Sequence, residues 1–266
     1  MRLKITLQPE RPDTAVPINY QYPLSAVVYR ILHSADAAYA EFLHDEGYPS
    51  SNNRKLKLFV FSPLYSSKKA RVENGTLRWF GKPDIWFFLG SPLEETFIQN
   101  FILGIFQQSS FSVGISSTVV RFMVTSVEAL PAPEWKEKLR CRSMGPMVVS
   151  IRDDNHKQPV YLPPDSPQFA EGVRMNLLRK HEALHGPFTE PLDMKLTPDA
   201  SYLERRGGAQ GTSKLITIKE GRAEESKVRG FVFPFTLELS PPLLETAWDC
   251  GLGEKNSLGF GMWGVG

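Results

Sequence analysis

The alternation of hydrophobic and polar residues predicts a first unit with two helices and four strands. Arg2 to Leu7 alternates with the period of a half-buried strand, and the apolar residues from Leu24 to Leu32 follow at helical spacing behind Pro23. The predicted order is strand, helix, strand, strand, helix, strand, at residues 2–7, 23–32, 57–64, 76–89, 92–107 and 117–127. This βαββαβ order is typical of the ferredoxin-like motif.

A second unit follows Pro131 to Arg140, which is rich in prolines and charges and predicts a linker. Its predicted elements are strands at 147–151 and 160–162, a helix at 166–185, and strands at 215–218 and 228–239, with a flexible basic loop at 205–213. The predicted fold class is therefore α+β, with two tandem ferredoxin-like domains of the RNA-recognition type, residues 1–130 and 141–266.

Composition excludes several classes of protein. The chain has 266 residues, of which 41% are hydrophobic and 23% are charged, as in soluble globular proteins. The longest apolar stretch, Phe97 to Phe106, is too short for a membrane span, and the first residues lack a signal-peptide pattern. Cys141 and Cys250 fit no disulfide framework or metal motif. We expect a cytoplasmic protein with no membrane association, cofactor or metal.

The net charge is only +2, but basic residues are concentrated in two segments, from Asn52 to Lys82 and from Arg205 to Arg229. Such clusters suit a polyanion, although most are simply solvated surfaces. The more specific signal is GLGEKNSLGFG at Gly251 to Gly261. Glycines allow a close approach of backbone to phosphate, and Lys255 adds a cation. The chain ends too soon after this loop for a dinucleotide-binding fold.

This loop resembles the carboxyl-terminal glycine-rich signature of CRISPR-associated endoribonucleases, which cut precursor RNA within its repeats and belong to the repeat-associated mysterious protein (RAMP) superfamily. The segments MRLKITLQPE, NYQYPLSAVVYRIL, FLH (42–44) and KLF (57–59) are similar to that family in order and spacing. The resemblance implies two ferredoxin-like domains and metal-independent cleavage without a cofactor. It implies CRISPR repeat RNA as partner, allows other CRISPR effector subunits, and leaves monomer or homodimer open.

The resemblance also implies that Tyr29, His44 and Lys57 are catalytic. Helical geometry places Tyr29 about 130° and His44 about 145° from the apolar faces of their helices, so both lie off the core. RNA supplies its own nucleophile, the 2′-OH, so the protein must provide a base, an acid and positive charge. His44 is favoured as base, with Tyr29 positioning or assisting, although the acid and base could be exchanged. Lys57 is assigned to the oxyanion.

Further residues are assigned to RNA binding. They are Arg54, Lys55, Arg205, Arg206, Lys214, Gly251, Gly253, Lys255, Gly259 and Gly261. If the glycines serve close approach of RNA, bulkier residues at Gly259 and Gly261 should impair binding or cleavage without unfolding the domain. Phe59, Val60 and Phe61 depart from the stacking signature of RNA-recognition motifs, so base stacking there is not predicted.

Spacing makes a geometric prediction. Tyr29 and His44 would lie roughly 22 Å apart on one continuous helix, too far to share a phosphate. We therefore predict two helical pieces with a break within residues 33–37, where Ser34 or Asp36 could cap the second piece. The two side chains should then converge on a cleft bordered by Lys57.

Two alternatives remain. A non-catalytic RNA-binding member of the same superfamily would keep the glycine loop and the basic surfaces. A zinc hydrolase would use His181 and His185 of the H-E-x-x-H pattern that Glu182 completes. The helix is stopped by Gly186 and Pro187, and no third histidine follows at the spacing of the extended motif, so zinc is the weaker alternative.

Overall fold

The structure is a computed structural model that describes residues 1–51, 55–115, 118–152, 158–190 and 193–266. Arg54, which is a predicted RNA-binding residue, lies outside the described residues. So does Ser117, the first residue of the predicted strand at 117–127. Within the described ranges, none of the helices combines the length and the apolar character that a membrane span requires.

The first half of the chain forms one large antiparallel sheet with helices on one face. This half contains the strands β1 (Arg2–Pro9), β2 (Ala15–Pro17), β3 (Tyr48–Pro49), β4 (Lys55–Leu56), β5 (Val60–Phe61), β6 (Tyr65–Ser66), β7 (Arg71–Glu73), β8 (Thr76–Arg78), β9 (Ile85–Gly90), β10 (Ser110–Ile115) and β11 (Thr118–Leu130). The large sheet consists of β1, β5, β6, β9, β10 and β11, whereas β2, β7 and β8 form a second, smaller sheet and β3 pairs with β4. Its helices are α1 (Gln21–Ala35), α2 (Ala37–Glu41) and α3 (Gln99–Gln107), with π-helical turns at Phe42–Glu46 and Glu94–Ile98. The main sheet has the order β10-β11-β1-β9-β5.

The second half repeats this arrangement with insertions. Its strands are β12 (Lys138–Ser143), β13 (Ser150–Ile151), β14 (Val160–Tyr161), β15 (Lys195–Pro198), β16 (Ser213–Ile218), β17 (Ser226–Phe231), β18 (Pro234–Glu238) and β19 (Trp263–Val265). Its helices are α4 (Pro167–His185), α5 (Ala200–Arg205) and α6 (Pro241–Cys250), with 3-10 turns at Ala209–Thr212 and Asn256–Leu258. The main sheet has the order β15-β18-β12-β19.

The main sheets of the two halves have the same strand order. Read from the appropriate edge, β11-β1-β9-β5 and β19-β12-β18-β15 are each the fourth, first, third and second strand of the unit. All their pairings are antiparallel. The expectation of two tandem ferredoxin-like domains is confirmed. We propose that the boundary between them lies in residues 131–137, since the last predicted linker residues, 138–140, belong to β12.

Several local predictions differ from the structure. The predicted strand at 228–239 is two strands, β17 and β18, and most of the stretch 147–151 lies outside regular strand. Several elements were not predicted, among them β10, which forms a hairpin with β11, α6, which begins at Pro241, and also β2, β12, β15, α5 and β19. Part of the predicted loop at 205–213 is a 3-10 turn in which the Thr212 hydroxyl donates to the Ala209 carbonyl at 2.7 Å.

Arg2 joins the two halves. Its side chain is buried, its Nε donates to the Trp248 carbonyl at 2.8 Å and its Nη1 to the Trp263 carbonyl at 2.6 Å. The guanidinium carbon lies 3.3 Å from the centre of the Trp248 ring, a cation–π contact. Burial lowers the pKa of Arg2 to about 9, opposed by Asp249. A cation of the first strand is therefore fixed against the last helix and strand of the second domain.

Candidate active site

The helix after β1 breaks where the spacing argument placed the break. The helix α1 ends at Ala35, and Asp36 adopts an extended conformation with φ −149° before α2 begins at Ala37. The Asp36 carboxylate accepts a hydrogen bond from the Tyr39 backbone N–H at 2.9 Å, which satisfies one of the free donors at the start of α2. The predicted break within residues 33–37 is confirmed.

The break brings Tyr29 and His44 into contact. Their ring centres lie 5.4 Å apart with an interplanar angle of 84°, and Tyr29 also packs edge-on against Phe59 at 5.8 Å. The predicted convergence is confirmed. Burial raises the pKa of Tyr29 above its ordinary value, against the opposing effect of a hydrogen bond from Ser257. Tyr29 therefore stays protonated near neutral pH and keeps an O–H group that can donate a hydrogen bond.

His44 is accessible, with 70% of its side chain exposed. Its Nδ1 lies 2.6 Å from Oδ1 of Asp45. Because an ionised carboxylate only accepts hydrogen bonds, Nδ1 carries the proton and Nε2 keeps the lone pair when the ring is neutral. Sequence reasoning missed Asp45, although its position directly after His44 was a usable signal. The arrangement leaves Nε2 to exchange a proton with a substrate.

Lys57 holds the backbone that carries His44. Its Nζ donates to the Leu43 carbonyl and, at 2.6 Å, to the His44 carbonyl. An ammonium group has three N–H donors, so one remains for another acceptor. The pKa of Lys57 is lowered, first by partial burial and then by Lys55, while Asp45 acts in the opposite direction. Lys57 thus borders the pair formed by Tyr29 and His44, as predicted.

A cleft of about 440 Å³ lies between the two domains at this point. The first domain contributes residues 55–59, the second contributes Asn176 and Lys180 of α4 together with Cys250, and the glycine loop contributes residues 254–258. Lys55, Lys57 and Lys255 all line the cleft, with Glu254 as its acidic member. Positive charge therefore lines an opening that also includes Phe59, the residue against which Tyr29 packs.

The four loop glycines are buried and have positive φ, from +69° at Gly253 to +84° at Gly259. A Cβ atom at Gly261 would lie 1.9 Å from the Leu252 carbonyl oxygen, and one at Gly259 would lie 2.7 Å from the Phe61 ring. The protein's own atoms thus occupy the space next to each glycine. These contacts argue against the expectation that bulkier residues there would leave the fold intact, and RNA binding by the glycines stays a prediction.

Lys180 supports the loop from below and was missed by sequence reasoning. Its side chain is only 4% exposed, and its Nζ donates to the carbonyls of Gly251 at 2.8 Å and Gly253 at 3.0 Å. Burial lowers its pKa to about 8, partly offset by Cys250 and Glu254. A single lysine in a helical stretch gives no signal of such a role.

The other predicted RNA-binding residues are divided between two places. Lys55 and Lys255 are exposed at the cleft, where Lys55 Nζ donates to the Asp45 carbonyl at 2.7 Å. Arg205, Arg206 and Lys214 are exposed on the second domain, away from the cleft lining. Arg205 bonds Ser201 at 3.3 Å, and the Arg206 guanidinium lies 5.7 Å from the Tyr202 ring. The cleft therefore does not unite the two basic segments.

An aromatic surface on the first sheet also escaped sequence reasoning. Tyr65 and Trp86 are half-buried and stack at 6.2 Å with an interplanar angle of 18°, and Lys4 Nζ lies 5.9 Å from the Trp86 ring. Phe59 and Phe61, in contrast, are buried. Aromatic rings beside a cation suit stacking with nucleic-acid bases.

The histidines of the H-E-x-x-H pattern lie elsewhere, at the end of α4. His181 is 7% exposed, and its Nδ1 lies 3.2 Å from the Thr246 hydroxyl. Its ring packs against Phe188 at 5.2 Å and His185 at 4.8 Å. In the described part of the chain, no three His, Cys, Asp or Glu side chains are grouped to hold a metal ion.

Solved structures show the same fold. A Cas6-related protein from Pyrococcus furiosus covers 100% of this chain and 98% of its own, with a TM-score of 0.79 and 21% identity. A RAMP protein that binds different RNA substrates covers 100% and 99%, with a TM-score of 0.77 and 19% identity. The chain has the fold of the RAMP proteins.

Sequence comparisons identify the family. Residues 15–128 match the family model described as CRISPR-associated protein Cas6, N-terminal, and residues 130–265 match CRISPR associated protein Cas6, C-terminal. CRISPR-associated endoribonuclease Cas6 1 of Methanocaldococcus jannaschii is 30% identical over 98% of this chain and 91% of its own. The chain belongs to the Cas6 family.

Proposed function

We propose that this protein is a metal-independent endoribonuclease that cleaves CRISPR precursor RNA within its repeats. RNA cleavage itself follows from membership in the family. The proposed chemistry is attack of the 2′-OH on the adjacent phosphate, which leaves a 5′-OH and a 2′,3′-cyclic phosphate. The observation that carries the proposal is the contact between Tyr29 and His44 beside Lys57.

The environments of Tyr29 and His44 suit different proton roles. The raised pKa of Tyr29 disfavours a phenolate base, so Tyr29 donates a hydrogen bond or proton. His44, with Nδ1 directed to Asp45, has Nε2 free to take the proton of the 2′-OH. His44 is therefore the proposed base and Tyr29 the group that assists the departing 5′-oxygen or orients the phosphate. This division agrees with the assignment favoured from the sequence.

Positive charge for the transition state is assigned to Lys57, with Lys55 and Lys255 holding the neighbouring phosphates. The remaining donor of Lys57 is available to a developing oxyanion, whereas its other two are used by backbone carbonyls. The RNA path is proposed to continue over Tyr65 and Trp86. Association with other CRISPR effector subunits, and a monomeric or homodimeric state, stay predictions.

The alternative is an RNA-binding protein of the same class without cleavage. The charged cleft is compatible with it, but the oriented Tyr29, His44 and Asp45 are then unexplained. The zinc hydrolase is disfavoured because His181 is buried against Thr246 and Phe188 rather than facing a cleft.

Cleavage of labelled cognate repeat RNA in excess chelator tests the three functions. We expect product with a 2′,3′-cyclic phosphate, identified by its resistance to ligation until a phosphatase that opens cyclic phosphates is added. Bound but intact RNA would favour the non-catalytic function. Activity that disappears with chelator and returns with zinc would contradict metal independence.

A further inference from the structure

The cleft between the two domains has the size and the lining of a site for a small planar group. Its volume of about 440 Å³ lies within the range of about 300 to 1,000 Å³ that is typical of small-molecule sites. Apolar side chains of both domains line it, namely Leu56, Leu58 and Phe59 of the first domain and Leu258 of the glycine loop. The helix α4 adds the polar side chains of Asn176 and Lys180. A nucleic-acid base has the same division, with two apolar faces and a polar edge.

Asn176 brings an unpaired acceptor into this lining. Its Oδ1 atom is buried and has no hydrogen-bond partner among the described residues, although the side chain lines the cleft. A buried amide oxygen without a partner is unfavourable, and such atoms are rare in folded proteins. The position is therefore suited to a bound molecule that donates an N–H group.

Lys180 lies one helical turn from Asn176 and so on the same face of α4. Its Nζ donates to the carbonyls of Gly251 at 2.8 Å and Gly253 at 3.0 Å, which leaves one of its three N–H groups for another acceptor. This face of α4 thus combines an acceptor with a charged donor. The Watson–Crick edge of every nucleic-acid base carries an N–H group beside an acceptor, but only an unpaired base has that edge available.

The first-domain wall of the cleft connects it to the proposed catalytic residues. Lys57, which donates to the His44 carbonyl at 2.6 Å, lines the cleft. So does Phe59, which packs edge-on against Tyr29 at 5.8 Å. A base in the cleft therefore belongs to a nucleotide near the cleaved bond, and the lysines at the same opening can hold its phosphate.

We propose that an unpaired base of the repeat, within about two nucleotides of the cleaved bond, inserts its Watson–Crick edge into this cleft and donates a hydrogen bond to Asn176 Oδ1. Asn176 is thus a residue that recognises the substrate and takes no part in the proton transfers. The apolar side chains of the two domains contact the faces of the base, as in enzymes that read a base outside a duplex. This inference rests on the proposed function, because it assumes that RNA is cleaved beside Tyr29 and His44.

Abasic substitutions locate the base. Cleavage is measured under single-turnover conditions at protein concentrations below saturation, so that the rate reports binding and chemistry together. The substrates are cognate repeat RNA and RNAs with an abasic ribonucleotide at one of the four positions nearest the cleaved bond. We expect one position at which this change slows cleavage by the wild-type protein about tenfold or more, since stacking and a hydrogen bond are lost.

Asn176→Leu tests whether the located base contacts Asn176. Leucine has a similar size without polar atoms, so the variant should unfold at no lower temperature than wild type. It should cleave intact RNA about three- to tenfold more slowly, the usual effect of one hydrogen bond. RNA that is abasic at the located position should be cleaved at the same rate by variant and wild type. Gln168→Leu makes the same change at an exposed residue of α4 outside the cleft lining and should behave as wild type.

The outcomes separate this inference from the proposed function. No sensitive position among the four, an unchanged rate of Asn176→Leu on intact RNA, or an equally large abasic effect in both proteins would overturn recognition by Asn176 while cleavage by the wild-type protein stands. If circular dichroism shows that Asn176→Leu is unfolded, Asn176→Ala takes its place in the same measurements. Absence of cleavage by the wild-type protein would overturn the proposed function and this inference together.

Discussion

The helix that follows the first strand differs between the two domains. In the first domain it breaks at Asp36, and the returning piece places His44 against Tyr29. In the second domain α4 runs unbroken from Pro167 to His185 and carries its histidines to the helix end, where His181 is buried. The two domains share one strand order, so the topology does not account for this difference.

The comparison shows that a break in a helix, more than a motif spacing, makes the site. The H-E-x-x-H pattern places His181 and His185 on one helix face, yet the rings meet Thr246 and Phe188 instead of a cleft. Tyr29 and His44 match no short motif and meet because Asp36 ends α1. The second domain contributes its glycine loop to the cleft and contributes no proposed base.

Removing a histidine from each domain tests which domain carries the proposed base. His44→Ala should lower the single-turnover cleavage rate by roughly 10²- to 10⁴-fold, the usual contribution of a general base. Affinity for 2′-deoxy repeat RNA should stay within about twofold. His181→Gln is the matched control and should cleave at the wild-type rate in excess chelator, provided that circular dichroism shows it folded. A larger loss for His181→Gln would reverse the roles assigned to the domains.

The close packing around the glycine loop predicts that a substitution at Gly261 destabilises the protein. Gly261→Ala should lower the free energy of unfolding by on the order of 3 kcal/mol, because its Cβ meets the Leu252 carbonyl at a positive φ. Gly207→Ala is the control: its φ of +77° is similar, but nothing lies within 4 Å. Urea denaturation of both variants measures the difference. Equal destabilisation would mean that backbone strain, rather than the contact, sets the effect.

Because burial lowers the pKa of Lys180, we expect the stability of the protein to depend on pH. Its pKa is about 8 in the folded protein, and that of an unfolded lysine is about 10.4. Between these values the unfolded state binds more protons, so stability from this group rises as pH increases, by at most on the order of 3 kcal/mol. Below about pH 8 both states are protonated, and the cost of burying the charge is fully present.

Thermal unfolding of wild type and Lys180→Met between pH 7 and pH 10 measures this effect. The difference in Tm between wild type and variant should change in favour of wild type as pH rises. Parallel curves would show that the Lys180 ammonium is not destabilised by burial.

A smaller effect distinguishes the two lysines of the first domain that contact this segment. Lys57→Met should slow cleavage roughly 10- to 100-fold, since it loses two charged hydrogen bonds to the segment that bears His44. Lys55→Met loses one bond, to the Asp45 carbonyl, and should chiefly weaken RNA affinity. Rate and affinity measured for both variants give the comparison. A purely affinity-based loss for Lys57→Met would make it a phosphate anchor.

The smallest expected effect is at the break itself. Asp36→Ala removes the cap of α2 and should cost about 1 kcal/mol of stability, the usual value for an N-cap aspartate. Asp36→Asn keeps a side-chain oxygen and should recover most of the loss. Denaturant midpoints of the two variants check the effect. If neither variant differs from wild type, the packing of α2 rather than its cap maintains the break.

Local features of the site were predictable from sequence, and long-range ones were not. The break at Asp36 follows from the known preference for aspartate at helix starts together with the distance that Tyr29 and His44 must cover. The order of periodic segments predicted the fold of the first domain, whereas in the second domain only β18 of the four strands of the main sheet was predicted. The hydrogen bond between the Ser25 hydroxyl and the Ser257 carbonyl joins residues 232 positions apart, and no periodicity indicates it.

Two features of the glycine loop could be read from sequence only in part. The need for glycine was visible in the pattern, but its reason was not: the neighbours that occupy the missing side-chain space, such as Phe61 and Leu252, become known only from packing. The role of Lys180 was not visible either, because its acceptors are backbone carbonyls, which every residue has.

The helix α6 was missed because Pro241 and Pro242 are typical of a loop as well as of a first helical turn.

Arg2 has a consequence for when the enzyme can become active during its synthesis. Its guanidinium takes partners at Trp248 and Trp263, the latter 261 residues further along the chain. At about 5 to 20 residues per second, a ribosome needs roughly 13 to 50 s to synthesise that length. Throughout that interval Arg2 lacks its partners, and the cleft has only the wall that the first domain provides. A nascent chain therefore acquires its complete cleft only after the second domain has been synthesised.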